Sequence, residues 1–251
     1  MRRLAEKLVG EEVSVSVDAA WDGTLDEGVI RAADRHQADW ILVGVRQHPV
    51  HRTPMFSEPD WQLIRHAPCP LLFVQPRIWS MPVRVVAAVD PLLAHGKPDD
   101  LDERILETGA CLCRHGGGQL HVFHAFESIL RGVSNTVPGP LPVEYAEATL
   151  EGAHNLAVEN LLGGYPEVAG RVRIAEGRPE DKLPDYAAEI HADVIIMGAV
   201  ARSPLKRMFI GSTAEKVLDR LGCDVMVIKP EELTAHQAMP AQPLAPDSRL
   251  H

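Results

Sequence analysis

Cysteine is scarce in this 251-residue chain, with four thiols at Cys69, Cys111, Cys113 and Cys223. So few thiols in apolar surroundings exclude a disulfide framework, and the lone C-x-C pair is more typical of helix packing than of a zinc site. No apolar run approaches the ~20 residues that span a bilayer, and the first residues lack the apolar centre of a signal peptide. These absences exclude a membrane protein and predict a cytoplasmic one.

Positively charged residues are outnumbered, since the chain has 25 Lys and Arg but 35 Asp and Glu, which gives a formal net charge of −10. Such a charge repels nucleic acid and acidic membrane surfaces at long range, so neither is an expected partner. The chain has no G-x-S-x-G elbow, no full Walker motif and no recognisable set of nucleophile, base and orienting acid. Catalysis therefore has no support in the sequence, apart from a slow ATP hydrolysis that stays open.

An internal repeat is the strongest signal in the sequence. The segment "ADWILVGV" at 38–45 matches "ADVIIMGA" at 192–199, and the glycines in them lie one fixed offset apart (198 − 44 = 154). The same offset relates "LLFV" (71–74) to "VMVI" (225–228). It also relates three flanking pairs: Gly23 with Gly177, Cys69 with Cys223 and Pro76 with Pro230. An uninterrupted offset over this distance indicates two copies of one structural unit.

The second copy alternates strands and helices. Short apolar runs rich in β-branched residues are typical of strands buried on both faces, and the segments between them have helical spacing or acidic first turns. Strands joined by helices predict right-handed crossovers and a parallel sheet with both faces covered. Strands are predicted at 83–90, 119–126, 172–177, 193–200 and 223–229, with helices within 100–115, at 142–162, at 179–192 with a start or kink at Pro184, and at 212–222.

The first copy lacks its beginning, because Met1 aligns with position 155, inside the long helix of the second copy. We expect a partial domain at 1–78, without its first strand, first helix and second strand. A complete domain at 79–230 and a disordered, proline-containing tail at 231–251 follow. On this alignment we expect the chain to be N-terminally truncated. Strand edges left open in the first copy would favour poor solubility or a homodimer.

The segments "VVAAVD", "EGRPEDKLPDYAAEIHADVIIMGAVAR" and "FIGSTAEKVLDRLGCDVMVIKP" resemble the universal stress protein family. "TPMFSEPDWQLIRHAPCPLLFV" resembles the first domain of its tandem, E-type members, so the likeness spans 83–230 and 11–76. It implies tandem flavodoxin-like (Rossmann-like) α/β units with five-stranded parallel sheets, the first unit being incomplete here. It also implies intramolecular pairing of the two copies through their last strands, a role in stress responses and, in some members, ATP as ligand.

The loop after "VIIMG" carries most of a nucleotide-binding pattern. ATP-binding members of the family have Gly, two residues, Gly, nine residues, Gly and then Ser or Thr; here one position departs, with Ala201 at the second glycine. Glycines let backbone N–H groups close around an anion, and a helix start adds partial positive charge. By resemblance, an aspartate after the first strand contacts adenine or ribose. The candidate site residues are Asp90, Gly198, Ala201, Arg202, Gly211, Ser212 and Thr213.

The loop also has a purely structural explanation, which is an alternative to nucleotide binding. Ser212 and Glu215 form an S-x-x-E capping box, which can satisfy the helix start without a ligand. In the first copy, Gln47 and Ser57 replace two glycines of the pattern, and Ser57 with Asp60 is typical of a helix cap. No nucleotide site is predicted in the first copy.

Histidines offer no better candidate. His121 and His124 lie three apart on a predicted strand and so point to opposite faces, which argues against a shared metal ion. His48 and His51 lie beside Arg52 on the loop of the first copy, where a solvated surface is the simplest interpretation. The sequence predicts no metal site.

The sequence thus predicts a cytoplasmic stress-response protein that acts by binding, with ATP (as Mg-ATP) the expected ligand and the second copy its expected location. Two alternatives stay open: a weak ATP hydrolase, and a ligand-free scaffold for protein interactions.

Overall fold

The computed structural model describes residues 14–45, 56–92, 100–127, 143–168, 170–199, 216–218 and 220–230. These ranges contain five α-helices and seven strands. The helices are α1 (Leu25–His36), α2 (Glu58–His66), α3 (Leu101–Gly116), α4 (Val143–Leu161) and α5 (Pro179–Glu189). The strands are β1 (Ile41–Gly44), β2 (Leu71–Val74), β3 (Arg84–Ala88), β4 (Gln119–Phe126), β5 (Val172–Glu176), β6 (Val194–Gly198) and β7 (Asp224–Ile228).

All seven strands belong to one sheet, in the order β1-β2-β7-β6-β3-β4-β5. The five strands of the second copy are mutually parallel, as are β1 and β2 of the first copy. The predicted α/β class and the parallel five-stranded second copy are therefore confirmed. Both copies enter one continuous sheet, because β2 pairs antiparallel with β7, with Leu71 opposite Val227 and Phe73 opposite Val225.

The sheet separates two hydrophobic cores. Neighbouring residues of one strand, such as Leu72 and Phe73, lie in different cores because side chains alternate across the sheet. Helices α1, α2 and α5 cover one face through residues such as Leu63 and Leu183. Helix α3 covers the other face of the second copy through Leu101, Ile105, Leu106 and Ala110, whose spacing follows the helical period.

The helix before β6 does not start at Pro184, contrary to one of the two sequence expectations. It runs from Pro179 to Glu189 with Pro184 inside. Proline has no N–H, so the carbonyl of Glu180 loses its partner within the helix. That carbonyl instead accepts a hydrogen bond from the Arg220 guanidinium at 2.8 Å, which explains why the helix continues.

The segment that corresponds to β5 in the first copy, 18–22, forms no strand. In the second copy β5 pairs only with β4, and the described part of the first copy has no counterpart of β4. Without a neighbour, backbone N–H and C=O groups gain nothing from an extended ladder. Trp21 in this segment is fully exposed.

One face of β1 is left open by the described residues. Leu42 is 65% exposed, and a Cβ built on Gly44 would meet no atom within 4 Å. At the equivalent Gly198 in the second copy, a Cβ would lie 2.6 Å from Leu101 of α3. The described first copy lacks a helix in the place of α3, so this face of its sheet has no cover there.

We expect Leu42→Thr to reduce self-association of the protein while changing its free energy of unfolding by less than about 0.5 kcal/mol, because an exposed leucine on an edge strand promotes contact between chains. Light scattering across a concentration series measures the first effect and urea unfolding the second. Leu72→Thr, on the same face but buried under the second copy's core, is the matched control and should destabilise the fold. Unchanged self-association in Leu42→Thr would contradict the prediction.

The segment that joins the two copies, 75–83, is held first by the carboxylate of Asp224, which is fully buried. This carboxylate accepts hydrogen bonds from the backbone N–H of Gln75 at 2.9 Å and from Nε1 of Trp79 at 2.7 Å. The Arg77 guanidinium lies 3.9 Å from it. Three groups of the linker thus depend on one side chain of β7.

Asp193, just before β6, holds the other end of the linker. Its carboxylate accepts from the backbone N–H groups of Ser80 and Arg84, both at 2.9 Å, and from the Ser80 hydroxyl. Burial raises the pKa of the Asp193 carboxyl, but these hydrogen bonds and the Arg77 charge outweigh burial and hold the pKa below its usual value. The ionised form is therefore the one that the fold stabilises.

Two buried side chains cross the joint between the copies at equivalent positions. Gln75 follows β2, and its Nε2 donates to the carbonyl of Cys223 at 2.8 Å. Lys229 follows β7, is fully buried, and its Nζ donates to the carbonyl of Ala67 at 2.6 Å. Burial lowers the pKa of Lys229 to about 7, with the nearby Cys69 opposing that shift.

Candidate functional site

The order of the strands indicates where a binding crevice is expected in the second copy. From β3 the chain proceeds outward on one side through β4 and β5, then returns to the other side of β3 with β6 and β7. The order therefore reverses between β3 and β6. In open parallel sheets the connections diverge at such a point, and ligands bind outside the carboxyl ends of the strands there.

Asp90 and Gly198, two of the predicted site residues, lie at this reversal. Asp90 lies two residues beyond the end of β3, and Gly198 ends β6. The two strands pair with Ala87 opposite Ile196, and continuing that register brings Asp90 level with Ala199. The structure thus places the two residues at the same edge of the sheet, on neighbouring strands.

The backbone of Asp90 is fixed by helix α3. Its N–H donates to both carboxylate oxygens of Asp102, at 3.1 and 3.2 Å. Asp102 lies in the first turn of α3 and is buried, so its carboxylate is shielded from solvent. Nothing in the sequence distinguishes Asp102 from an ordinary acidic residue at a helix start.

Gly198 has a packing role that the nucleotide pattern does not include. A Cβ at this position would lie 2.6 Å from a methyl group of Leu101. Leu101 is buried in the first turn of α3, so a side chain on residue 198 would push the helix away from the sheet. Close packing alone is sufficient to explain this glycine, whatever the loop after it binds.

The other predicted site residues, Ala201, Arg202, Gly211, Ser212 and Thr213, lie outside the described residues, as does Glu215 of the expected capping box. Described structure resumes with a helical turn at 216–218.

A pair of buried histidines stands beside Asp90, and the sequence did not reveal it. His124 of β4 is 1% exposed and His154 of α4 is 9% exposed. Nε2 of His124 lies 2.8 Å from Nδ1 of His154, while Nδ1 of His124 lies 3.0 Å from the carbonyl oxygen of Val89. The Phe126 ring stacks on His154 with centroids 4.3 Å apart and planes 17° apart.

The environment of His154 lowers its pKa from the ordinary value of 6.5. Burial is the main cause, and the neighbouring His124 adds to it, while the negative charge of Asp90 acts in the opposite direction. His154 is therefore neutral at pH 7. The sequence carries one weak signal for this pair: His154 stands four residues before Val158, a buried residue of the same helix, at the spacing of one helix face.

His121 points to the opposite face of the sheet from His124, as the strand periodicity predicts. Its Nδ1 lies 3.0 Å from the Tyr186 hydroxyl of α5. Burial lowers the pKa of His121, as do the charges of Arg171 and Arg84. The described residues contain no group of three His, Cys, Asp or Glu side chains placed to hold a metal ion.

The first copy uses its equivalent residues for structure. Ser57 precedes α2, and the Asp60 carboxylate accepts from both the backbone N–H and the hydroxyl of Ser57 at 2.7 Å, which confirms the predicted helix cap. His48, His51, Arg52 and Gln47 lie outside the described residues.

Comparison with known proteins gives a consistent result. The model of the universal stress protein family matches residues 2–75 and 82–229. The chain is 25% identical to a universal stress protein E homolog of Haemophilus influenzae over 228 residues, which are 90% of this chain and 74% of that protein. It is 27% identical to universal stress protein E of Escherichia coli K12, over 88% of this chain and 70% of that protein.

A crystal structure of a functionally unknown protein from Pseudomonas aeruginosa PAO1 superposes with a TM-score of 0.78 at 28% identity, covering 94% of this chain and 79% of that one. Among the described residues, no helix combines the length and the apolar character that crossing a membrane requires. The two matched segments correspond to the two copies found by the internal offset. The chain belongs to the universal stress protein family, and within it resembles the tandem E-type members.

Proposed function

We propose that this stress-response protein acts by binding a nucleotide, with ATP the expected ligand, in the crevice between β3 and β6 of the second copy. The observation that carries the proposal is the position of Asp90 at the reversal of strand order. Ligands of open parallel sheets bind at this place because the two connections leave on opposite faces and open a crevice. We place the protein in the cytoplasm.

The chemistry of Asp90 suits a nucleoside. Its carboxylate can accept a hydrogen bond from a ribose hydroxyl or an adenine amino group. Its backbone is already held by Asp102, so a ligand need not pay for ordering that segment. The residues proposed for the phosphates come from the sequence pattern alone: Gly198, Ala201, Arg202, Gly211, Ser212 and Thr213.

The first copy supports one site per chain. In the described structure β1 is the edge strand, so the first copy has no reversal of strand order and no counterpart of Asp90. Ser57, at the position of a glycine in the pattern, is engaged in a helix cap. We therefore propose a stoichiometry of one nucleotide.

Nucleotide binding occurs elsewhere in the family, since one universal stress protein has been solved in complex with cAMP. That protein is 19% identical to this chain with a TM-score of 0.37, a likeness too low to carry its ligand over. A weak ATP hydrolase and a ligand-free scaffold are the alternatives, and the same measurements distinguish them.

Asp90→Ala is expected to weaken Mg-ATP binding by roughly 10- to 100-fold, because a hydrogen bond to a charged acceptor contributes about 1.5–3 kcal/mol. Isothermal titration calorimetry measures both the affinity and the stoichiometry. Asp185→Ala is the matched control, since Asp185 is an exposed carboxylate on α5, and its affinity should equal that of the unaltered protein.

Equal affinity of Asp90→Ala and the unaltered protein would overturn the proposed location. A second variant, Gly211→Val, tests the loop and should also lose Mg-ATP. Steady release of phosphate from ATP by the unaltered protein, with no release by Asp90→Ala, would support the weak ATP hydrolase. Absence of Mg-ATP binding by the unaltered protein would favour the ligand-free scaffold.

A further inference from the structure

The histidine pair beside Asp90 forms a chain of hydrogen bonds with a defined direction. The carbonyl oxygen of Val89 can only accept, so Nδ1 of His124 carries a proton and donates to it. In a neutral imidazole the second nitrogen then accepts, so Nε2 of His124 receives a hydrogen bond from Nδ1–H of His154. The backbone carbonyl thereby selects the tautomer of both rings.

The consequence of this chain is a lone pair on Nε2 of His154. With its proton on Nδ1, a neutral His154 has only an acceptor at Nε2. Within the described part of the chain, Nε2 has no hydrogen-bond partner. The ring cannot turn to offer Nδ1 instead, because Phe126 stacks on it and Nδ1 is engaged by His124.

Among the described residues, the charged and titratable groups that act on His154 come from β4 and from the segment after β3. His124 contacts it from β4, and Asp90 acts on it from the segment after β3. Asp102 of α3 stands behind Asp90 and holds its backbone. His154 therefore presents an acceptor close to Asp90, near the carboxyl ends of β3 and β4, the edge at which the nucleotide site is proposed.

We propose that Nε2 of His154 accepts a hydrogen bond from a neutral donor of the bound nucleoside, an O–H of the sugar or the N–H of the base, and so determines which nucleosides bind. This inference rests on the proposed function. A proton taken up by either ring replaces this lone pair with an N–H. On His154 the proton occupies Nε2 directly; on His124 it makes Nε2 of His124 a donor, which reverses the hydrogen bond between the rings. In both cases a donor of the nucleoside faces another donor, so binding weakens as the pH falls.

Calorimetry with adenosine as the probe tests the inference, since adenosine carries no group that titrates between about pH 5 and pH 8. The unaltered protein should bind adenosine about 3- to 10-fold more weakly at about pH 5 than at about pH 8, the range that one neutral hydrogen bond supplies. His154→Phe keeps the stacking and removes the acceptor, so it should bind weakly at both pH values. His154→Gln restores an acceptor that does not itself titrate, so its affinity should change less with pH than that of the unaltered protein.

His121→Phe is the matched control, because His121 is also partly buried but lies on the opposite face of β4, and this variant should keep the pH dependence. Two further probes identify the donor: 2′-deoxyadenosine lacks a sugar hydroxyl, and inosine lacks the amino group of the base. If one of these probes lacks the group that donates to His154, its affinity for the unaltered protein should equal its affinity for His154→Phe.

The outcomes separate the two levels of the proposal. Adenosine binding that is equal in His154→Phe and the unaltered protein overturns the inference and leaves the nucleotide site intact. Absence of any binding of adenosine or Mg-ATP overturns both. Long-range ¹H–¹⁵N correlation spectra give the tautomer without a ligand, and a proton on Nε2 of neutral His154 would overturn the inference even if His154→Phe fails to fold.

Discussion

Replacing Lys229 with methionine is expected to raise the free energy of unfolding at pH 7 by about 2 kcal/mol. The ammonium group is fully buried, and its one hydrogen bond in the described structure goes to the neutral carbonyl of Ala67. A fall in pKa from 10.5 to about 7 corresponds to roughly 3–5 kcal/mol of unfavourable free energy. Replacing the lysine removes this penalty but also removes the hydrogen bond to Ala67, which lowers the free energy of unfolding by about 1–2 kcal/mol.

The pH dependence gives the sharper test. Between about pH 7 and 10.5 the unfolded chain keeps a proton on Lys229 that the folded protein has lost, so stability from this residue rises with pH by up to about 1.4 kcal/mol per unit. Below about pH 7 both states hold the proton and the penalty is constant. Methionine does not titrate, so the free energy of unfolding of Lys229→Met should exceed that of the unaltered protein most at pH 7 and below. This difference should shrink as the pH rises.

Urea unfolding of both proteins at pH 6, 7, 8 and 9 measures this difference. The comparison must be between the two proteins, because burial also raises the pKa of Cys223 to about 12 and so removes stability from both above about pH 9. Lys182→Met, at an exposed position, is the matched control and should show no such trend. A difference between Lys229→Met and the unaltered protein that does not change from pH 7 to 9 would refute the lowered pKa of Lys229.

The internal repeat supplies a second variant at the same position. Gln75 is the first copy's equivalent of Lys229, and its neutral amide donates across the joint to Cys223. Lys229→Gln should therefore remove the pH dependence while keeping a donor for the Ala67 carbonyl. Its stability at pH 7 is expected to be at least that of the unaltered protein.

Asp224→Ala is expected to lower the free energy of unfolding by about 3–5 kcal/mol, the cost of removing one partner from a buried, hydrogen-bonded charge. The change leaves the N–H groups of Gln75 and Trp79 without their acceptor and removes a negative charge 3.9 Å from Arg77. All three belong to the linker, so the joint between the copies should be weakened most. Hydrogen exchange should then show lost protection in β2 and β7 ahead of β4.

Asp181→Ala provides the comparison for Asp224→Ala. Asp181 pairs with Arg220 on the surface, where both side chains are about half exposed, and such pairs contribute at most about 1 kcal/mol. Urea unfolding at pH 7 should rank the two variants far apart. A loss below about 1 kcal/mol in Asp224→Ala would mean that the linker is held mainly by Asp193.

Much of the fold follows from short-range features of the sequence. Apolar runs such as "VRVVAAVD" and "DVMVI" predict strands that are buried on both faces, and the observed strands lie inside the predicted ranges. The 154-residue offset predicts which elements are equivalent, and α1 and α5 begin at that spacing, at Leu25 and Pro179. Of the two expectations at Pro184, a helix start is not observed, because the carbonyl of Glu180 that the proline frees finds its partner in Arg220, forty residues away.

The candidate site was only partly predictable. Asp90 and Gly198 could be identified from the loop pattern and the family resemblance, since both depend on position relative to a strand end. His154 could not be identified, because its role depends on His124 thirty residues earlier and on the carbonyl of Val89. Gly198 also has a packing role that the loop pattern does not include, because a Cβ at this position would lie 2.6 Å from Leu101 of α3.

The sequence by itself determined the α/β class, the two copies, the equivalence of their elements and the family, because periodicity and spacing are local properties of the chain. The tertiary structure decided that the copies join in one sheet through antiparallel β2 and β7, that Lys229 is buried against Ala67, and that two histidines meet beside Asp90. These features depend on contacts between residues 30 to 162 positions apart. Burial and hydrogen bonding at that range set charge and tautomer, and no local pattern of residues encodes them.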